Sequence, residues 1–185
     1  MGKQRITEGE ITSLVRRFFR KNGFRFLSTQ VNGEKLYYTV AGNTSNNKQP
    51  DSIVTKEDLI VICEDKILFT SLFSEQNHTI NDFEKLNRFL SSTVDLNLFK
   101  KKLPNHLTLD SVKIVGCLSS LSAKEGKIID FISDILMHVS FKILENGHCC
   151  ATLHCQENLM KYFTCQTIEF IIWALQKLIF RWWQV

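Results

Sequence analysis

The stretch that decides the fold runs from Asp51 to Phe73 and reads DSIVTKEDLIVICEDKILFTSLF. Within it, Leu59 to Cys63 is a continuous apolar run. Such a run is typical of a strand that is buried on both faces, because neither of its two sets of alternating side chains is polar. We therefore expect Leu59–Cys63 to form the central strand of a sheet, with the other elements arranged around it.

The residues near the amino terminus predict a helix. Thr7 and Glu10 have the spacing of a capping box, and the dipeptide Asn22-Gly23 supplies a stop signal. Between these signals, apolar residues recur at helical intervals, namely Ile11, Leu14, Val15, Phe18 and Phe19. We expect this apolar stripe to pack on a core and the basic residues of the helix to face outward.

A β-hairpin is predicted next. Two β-rich runs, Phe24–Val31 and Glu34–Val40, are separated by Asn32-Gly33, the dipeptide that a type I′ turn prefers because both central residues need positive φ. The following stretch, Ala41–Gln49, reads AGNTSNNKQ and is expected to be a surface loop.

The residues after the central strand alternate between helix and strand patterns. Helical spacing starts at about Ile80 and ends before Pro104, a buried strand is predicted over Ser111–Leu118, and Lys124–Met137 returns to helical periodicity. This order predicts an α/β fold with a mixed central sheet flanked by helices.

Composition places the chain among ordinary folded proteins, with 185 residues of which 44% are apolar and 23% charged. We divide it into an α/β domain over residues 1–145 and a cysteine-rich and apolar tail over residues 146–185. Its six cysteines follow no apolar leader, so we expect reduced thiols in an intracellular protein rather than a secreted one. The patterns GxxxxGK[ST], GxGxxG, HExxH and GxSxG are absent from the sequence. It therefore lacks the usual signatures of P-loop phosphoryl transfer, Rossmann cofactor binding, zincin proteolysis and α/β-hydrolase chemistry.

Basic residues form two clusters although the net charge is only +4. One cluster is Arg16, Arg17, Arg20 and Lys21, and the other is Lys100, Lys101 and Lys102. A cluster of this kind is either a solvated face or a phosphate-binding surface. The second interpretation makes Arg16, Arg17, Arg20 and Lys100–Lys102 candidate nucleic-acid contacts.

The chain also contains a pattern that indicates catalysis. Pro50-Asp51 and Glu64-Asp65-Lys66 have the form P-D, a spacer and E-x-K, which resembles the PD-(D/E)XK nuclease superfamily with its restriction-endonuclease-like fold. The resemblance implies that Asp51 and Glu64 are Mg²⁺ ligands, that Lys66 positions the attacking water, and that DNA or RNA is the substrate. It also implies that Glu10 or Glu8 is a further acidic member of the site.

These residue types suit that chemistry. Two converging carboxylates can hold Mg²⁺, which polarises a phosphodiester and makes hydroxide available from a bound water. Glu64 and Lys66 lie on one face of a strand, so the ammonium can sit beside the attacking water. The interval from Asp51 to Glu64 accommodates two antiparallel strands with a turn at Lys56-Glu57-Asp58, and the predicted element order agrees with the family over roughly residues 6–144.

Two other interpretations of the pattern remain open. Glu64-Asp65-Lys66 also has the composition of an exposed hairpin tip between two apolar runs. Asp65, in turn, departs from the family pattern, in which the middle position is small or apolar. A nuclease-like fold without activity, serving as a scaffold or protein-interaction module in a larger complex, has the same sequence features.

A cysteine- and histidine-rich segment is a weaker candidate for a site. It contains His148, Cys149, Cys150, His154, Cys155 and Cys165. These are enough ligands for zinc, but they lack the paired C-x₂-C and H-x₃₋₅-H spacing of a structural zinc site. We therefore do not expect zinc.

The last residues, Thr167–Val185, have the spacing of an amphipathic helix. A transmembrane helix is not predicted, because Lys177 would lie in hydrocarbon. We expect this helical tail to pack on the domain, or else to dock on a partner protein or a membrane surface.

Overall fold

The computed structural model describes residues 6–27, 30–31, 34–36, 38, 48–72, 81–104, 107, 111–121, 132–144 and 148–171. Its helices are α1 (Glu8–Lys21), α2 (Asp82–Ser91), α3 (Thr93–Lys100) and the short α4 (Glu157–Met160). Its strands are β1 (Arg25–Leu27), β2 (Gln30–Val31), β3 (Glu34–Lys35), β4 (Ser52–Lys56), β5 (Leu59–Leu68), β6 (Lys113–Leu121), β7 (Leu136–Ile143), β8 (His148–His154) and β9 (Thr167–Ile171).

Seven of these strands form one mixed sheet in the order β1-β4-β5-β6-β7-β8-β9. The neighbours β5 and β6, and β6 and β7, are parallel, whereas the other pairs are antiparallel. The predicted α/β class with a mixed sheet is therefore confirmed, and the apolar run Leu59–Cys63 lies within β5, next to the centre of the sheet.

The sheet separates two apolar layers because successive side chains of β5 point to opposite faces. Leu59, Val61 and Cys63 face α1. Ile60 and Ile62 face the layer that contains α2 and α3. A strand covered on both faces needs apolar residues at every position, which explains the continuous run.

The predicted helix and hairpin are confirmed in part. Helix α1 begins with the capping box, in which Thr7 Oγ1 accepts from the Glu10 amide at 3.3 Å and the Thr7 amide donates to Glu10 Oε2 at 2.7 Å. The hairpin is short, since Val31 pairs with Glu34 and Gln30 with Lys35. The first predicted run is divided, because Arg25–Leu27 pairs with β4 instead. The turn residues 32–33 and most of the predicted loop, residues 41–47, lie outside the described residues.

Two helix predictions near the carboxyl end need correction. Leu136 and Met137, predicted as the end of a helix over Lys124–Met137, begin strand β7. The reason is a period of two from this point, since Met137, Val139 and Phe141 all face the α1 layer. Residues 124–131 of that predicted helix lie outside the described residues.

The second correction concerns the predicted helical tail. Thr167–Ile171 forms β9, which pairs antiparallel with β8 and satisfies the backbone groups of that strand. Residues 172–185 lie outside the described residues. The sheet therefore continues past residue 145, where the sequence suggested a domain boundary, and within the described ranges no helix has the length and hydropathy to cross a membrane.

Candidate functional site

The E-x-K pattern lies inside a strand and not at a hairpin tip. Glu64-Asp65-Lys66 belongs to β5, whereas the turn between β4 and β5 lies at Glu57-Asp58, where Glu57 has a φ of 54°. The hairpin-tip interpretation is therefore wrong, and the predicted turn near Glu57 is confirmed. The pattern lies near the carboxyl end of β5, the end at which α/β sheets commonly bind ligands.

Strand pairing brings Asp51 and Glu64 together. Ser52 pairs with Cys63, and Asp51, the residue before β4, donates its amide to the Cys63 carbonyl oxygen at 3.1 Å, so Asp51 lies beside the part of β5 that contains Glu64. The Asp51 carboxylate accepts from the Asp65 amide at 2.8 Å. Asp51 is exposed, and its charge is among the influences that raise the pKa of Glu64.

Glu64 is a buried carboxylate with two partners. It is 1% exposed, and its Oε1 accepts from the Tyr38 hydroxyl at 2.9 Å while its Oε2 lies 2.8 Å from Lys48 Nζ. Burial raises the pKa of Glu64 to about 8, although Lys48 opposes this effect. A carboxyl in this environment changes protonation near neutral pH, which is common in functional sites.

Lys48 also connects Glu64 to Asp82, the first residue of α2. The Lys48 ammonium donates to Asp82 Oδ1. Burial disfavours the charge of Lys48, but the two carboxylates outweigh burial and raise the pKa of Lys48. Correspondingly, burial disfavours the charge of Asp82, but the hydrogen bond from Lys48 lowers the pKa of Asp82.

Lys66 lies between helices α1 and α2. Its Nζ is 3.3 Å from Glu8 Oε1 and 3.5 Å from Asp82 Oδ2. Of the two acidic residues that the sequence proposed on α1, the structure brings Glu8 to Lys66. Glu10 does not reach Lys66, because its carboxylate is held by Thr7 in the capping box.

Asp65 faces the opposite layer from Glu64. It is 2% exposed, and its Oδ1 accepts from the Ser119 hydroxyl of β6 at 2.6 Å. Burial raises the pKa of Asp65 to about 6, whereas Ser119, Thr12 and Arg16 lower it. The middle position of the E-x-K pattern is thus a buried polar side chain with a hydroxyl partner on the neighbouring strand.

Three residues of the site were missed by the sequence patterns, namely Tyr38, Lys48 and Asp82. Tyr38 and Lys48 form a two-way backbone bridge, with both N–H to O distances at 3.0 Å, and this bridge holds both side chains over Glu64. Lys48 belonged to a stretch predicted as a surface loop, and Asp82 belonged to the stretch predicted as helical from about Ile80. Neither position carried a sequence signal for the site.

The two basic clusters lie on different faces of the sheet. Arg16 Nη2 donates to the Asp51 carbonyl oxygen at 3.3 Å, which places the first cluster beside the site. Lys100 ends α3, whose Phe99 packs in the other layer, and Lys101 and Lys102 follow it. Lys101 and Lys102 are exposed, and Arg17 is partly buried.

The cysteines are free thiols, and Cys63, Cys117 and Cys149 are buried as the strand patterns predicted for the first two. Across the part of the chain that the structure describes, no group of three or more histidine, cysteine, aspartate or glutamate side chains is arranged to hold a metal ion.

Comparison with known proteins finds no matching family model, no similar curated protein and no similar solved structure, so a proposal about function has to depend on the geometry of the site.

Proposed function

We propose that the protein binds nucleic acid and hydrolyses phosphodiester bonds with Mg²⁺ at Asp51, Glu64 and Lys66. The observation that carries the proposal is the pairing of β4 with β5, because it brings the exposed Asp51 to β5, where its carboxylate accepts from the Asp65 amide between Glu64 and Lys66. A carboxylate pair can hold a metal ion that polarises a phosphodiester, and a neighbouring ammonium group can stabilise the charge that develops on it.

The order of elements supports the same proposal. Helix α1 precedes the antiparallel pair β4 and β5, and helices α2 and α3 lead to β6, which is parallel to β5. This order is similar to that of the restriction-endonuclease-like fold, in which an acidic residue and an acid-x-lysine pattern share one edge of the sheet.

Mg²⁺ suits the residues that are present. The ion commonly takes one or two protein carboxylates and completes its shell with waters and substrate phosphate oxygens. Asp51 and Glu64 would supply the two carboxylates, and when bound the ion would polarise the phosphodiester and acidify a water. Lys66 would orient that water, and Glu8 would hold Lys66 in place.

A second candidate function is a scaffold without catalysis. The specific observation in its favour is that Glu64 is 1% exposed and already paired with Lys48, so a cation reaches Glu64 only if Lys48 withdraws. In this case the α/β body would support a protein partner, with docking through residues 172–185, which lie outside the described residues.

The test is cleavage of labelled DNA and RNA with and without Mg²⁺. We expect Asp51→Asn and Lys66→Ala each to reduce cleavage by about 100-fold or more, since the loss of one charge-stabilising group at a reacting centre commonly costs about 10²–10³ in rate. Glu57→Gln is the matched control, because it removes an exposed carboxylate at the far end of the same hairpin.

Two outcomes would contradict the nuclease proposal. Undiminished cleavage by both Asp51→Asn and Lys66→Ala would show that these residues do not carry the reaction. Binding without any Mg²⁺-dependent cleavage by the unmodified protein would favour the scaffold.

A further inference from the structure

One face of α1 connects the candidate site to the first basic cluster. Four residues follow one another at intervals of four along this helix, and we call them the α1 stripe: Glu8, Thr12, Arg16 and Arg20. Residues at this interval lie on the same helix face. Glu8 contacts Lys66, and Thr12 is close enough to Asp65 to lower its pKa. The stripe thus starts at the carboxylates of the site and ends in two guanidinium groups.

Both arginines of the stripe are held in a defined position. The guanidinium carbon of Arg16 lies 5.9 Å from the centre of the Phe26 ring, and that of Arg20 lies 5.7 Å from it. Arg16 is further anchored by the hydrogen bond to the Asp51 carbonyl oxygen. Neither contact with the ring uses the N–H groups as hydrogen-bond donors, so apart from the Arg16 bond to Asp51 the donors of both guanidinium groups are available for an anion.

The spacing of the two arginines suits a nucleic-acid backbone. Four residues of helix span about 6 Å along its axis, so the two side chains present neighbouring positive charges on one side of α1 to an anionic backbone. Both side chains are exposed, whereas the Phe26 ring between them is partly buried. A planar guanidinium pairs with two phosphate oxygens at once, so arginine suits this role better than lysine.

Lys100–Lys102 lack this relation to the site. They lie at the end of α3, on the face of the sheet opposite to α1. A nucleic-acid strand that runs along the α1 stripe to Asp51 therefore does not contact Lys100–Lys102.

We propose that Arg16 and Arg20, braced by Phe26, are the phosphate contacts that carry a nucleic-acid strand across Asp51, and that Lys100–Lys102 are not part of this surface. The inference rests on the proposed function and names its substrate-binding surface.

The experiment is a salt titration of binding without catalysis. A labelled oligonucleotide, single-stranded or duplex, is titrated with the full chain in buffer containing a metal chelator, and log K is plotted against log salt concentration. Each phosphate contact contributes about 0.7 to the slope for single strands and about 0.9 for duplex DNA. We expect Arg16→Ala with Arg20→Ala to reduce the slope by about 1.4 or 1.8, respectively.

Lys101→Ala with Lys102→Ala is the matched control, since it removes the same charge from exposed positions and should leave the slope unchanged. All four side chains are exposed, so thermal unfolding should show that each variant keeps its fold. An unchanged slope in the arginine variant, or an equal loss in the lysine variant, would overturn the inference.

A second variant tests whether the strand crosses Asp51. In the absence of metal, Asp51→Asn should tighten binding because it removes a negative charge facing the phosphates, whereas Glu57→Gln at the far turn should not. An unchanged affinity for Asp51→Asn would place the strand elsewhere and overturn the inference.

The outcomes separate this inference from the proposed function. Cleavage that depends on Asp51, together with a slope that does not depend on Arg16 and Arg20, would retain the nuclease and discard the surface. The expected loss of slope without cleavage in Mg²⁺ would retain the surface and discard the nuclease.

Discussion

At the scale of single residues, the buried carboxylate of Asp65 has the Ser119 hydroxyl as a hydrogen-bond donor at 2.6 Å. An isolated charge in a protein core is costly, and the carboxyl responds by a raised pKa unless hydrogen bonds compensate. Here the Ser119 hydroxyl compensates in part, since the pKa of Asp65 is still raised to about 6 by burial. The folded chain therefore holds a proton on Asp65 at pH values where the unfolded chain has released it.

This shift predicts how stability changes with pH. Because the pKa of Asp65 rises from 3.8 to about 6 on folding, its contribution to the free energy of unfolding is most favourable below pH 4 and is lost as pH rises toward 6. Asp65→Asn removes the charge and keeps an oxygen for Ser119. We expect it to raise the free energy of unfolding at neutral pH by about 1–3 kcal/mol, since one pKa unit corresponds to about 1.4 kcal/mol.

Urea denaturation between about pH 4 and pH 8 measures this effect. Asp134→Asn is the control, because Asp134 is exposed. If the free energy of unfolding of Asp65→Asn depends on pH in the same way as that of the unmodified chain, the pKa of Asp65 does not change on folding.

At the scale of elements, the fit of α2 on the sheet depends on Gly116 of β6. A methyl group at this position would lie 2.7 Å from side-chain carbons of Leu136 and Leu86 and 2.8 Å from one of Leu90. These distances are too short for a real contact, so the leucines would have to move or the helix would have to lift. Because Gly116 has no side chain, α2 can pack directly on β6 and cover the apolar layer that contains α2 and α3.

Gly116→Ala is therefore expected to lower the free energy of unfolding by about 1–3 kcal/mol, the usual cost of overfilling a packed core. The control is Gly9→Ala in α1, where an added methyl group meets no atom within 4 Å and alanine is the better helix former. Denaturant midpoints of the two variants give the comparison. A Gly116→Ala variant as stable as the unmodified chain would mean that α2 does not pack closely on β6.

At the scale of the whole molecule, the segment after residue 145 belongs to the core that contains α1. Cys149, Ala151 and Leu153 of β8 pack in the same layer as Phe18 and Phe19. Beyond β8, the Phe163 ring lies 5.1 Å from that of Phe24, and the buried Asn22 accepts from the Cys165 amide at 2.9 Å. The cap of the first helix is thus completed by residues near the other end of the sequence.

We expect a chain shortened to residues 1–145 to lose cooperative unfolding, because it would expose the apolar face of β7 and leave Asn22 without these partners. A chain that ends after Ile171 keeps every contact described above and is the matched control. Circular dichroism during heating would report both. Cooperative unfolding of the shorter chain would instead support the domain boundary that the sequence suggested.

Elements whose signals are local were predictable from the sequence. Helix α1 carries its own capping box and apolar periodicity, and β5 carries its own apolar run, so neither prediction needs to know its neighbours. Strand β9 was predicted as a helix because its apolar residues fit a period of 3.6, yet pairing with β8 decides its conformation. There the local preference for a helix is outweighed by backbone hydrogen bonds to β8, which a reading of the residues 167–171 alone does not reveal.

The sequence by itself determined the α/β class with a mixed sheet, the capped first helix and the buried run of β5 that leads to Glu64 and Lys66. Tertiary structure alone decided that Lys48 and Tyr38 cover Glu64, that Ser119 pairs with Asp65 and that Glu8 rather than Glu10 reaches Lys66. The physical reason is that periodicity and capping act over a few residues, whereas a buried charge is satisfied by whichever polar group the fold brings within about 3 Å. That group can lie anywhere in the chain.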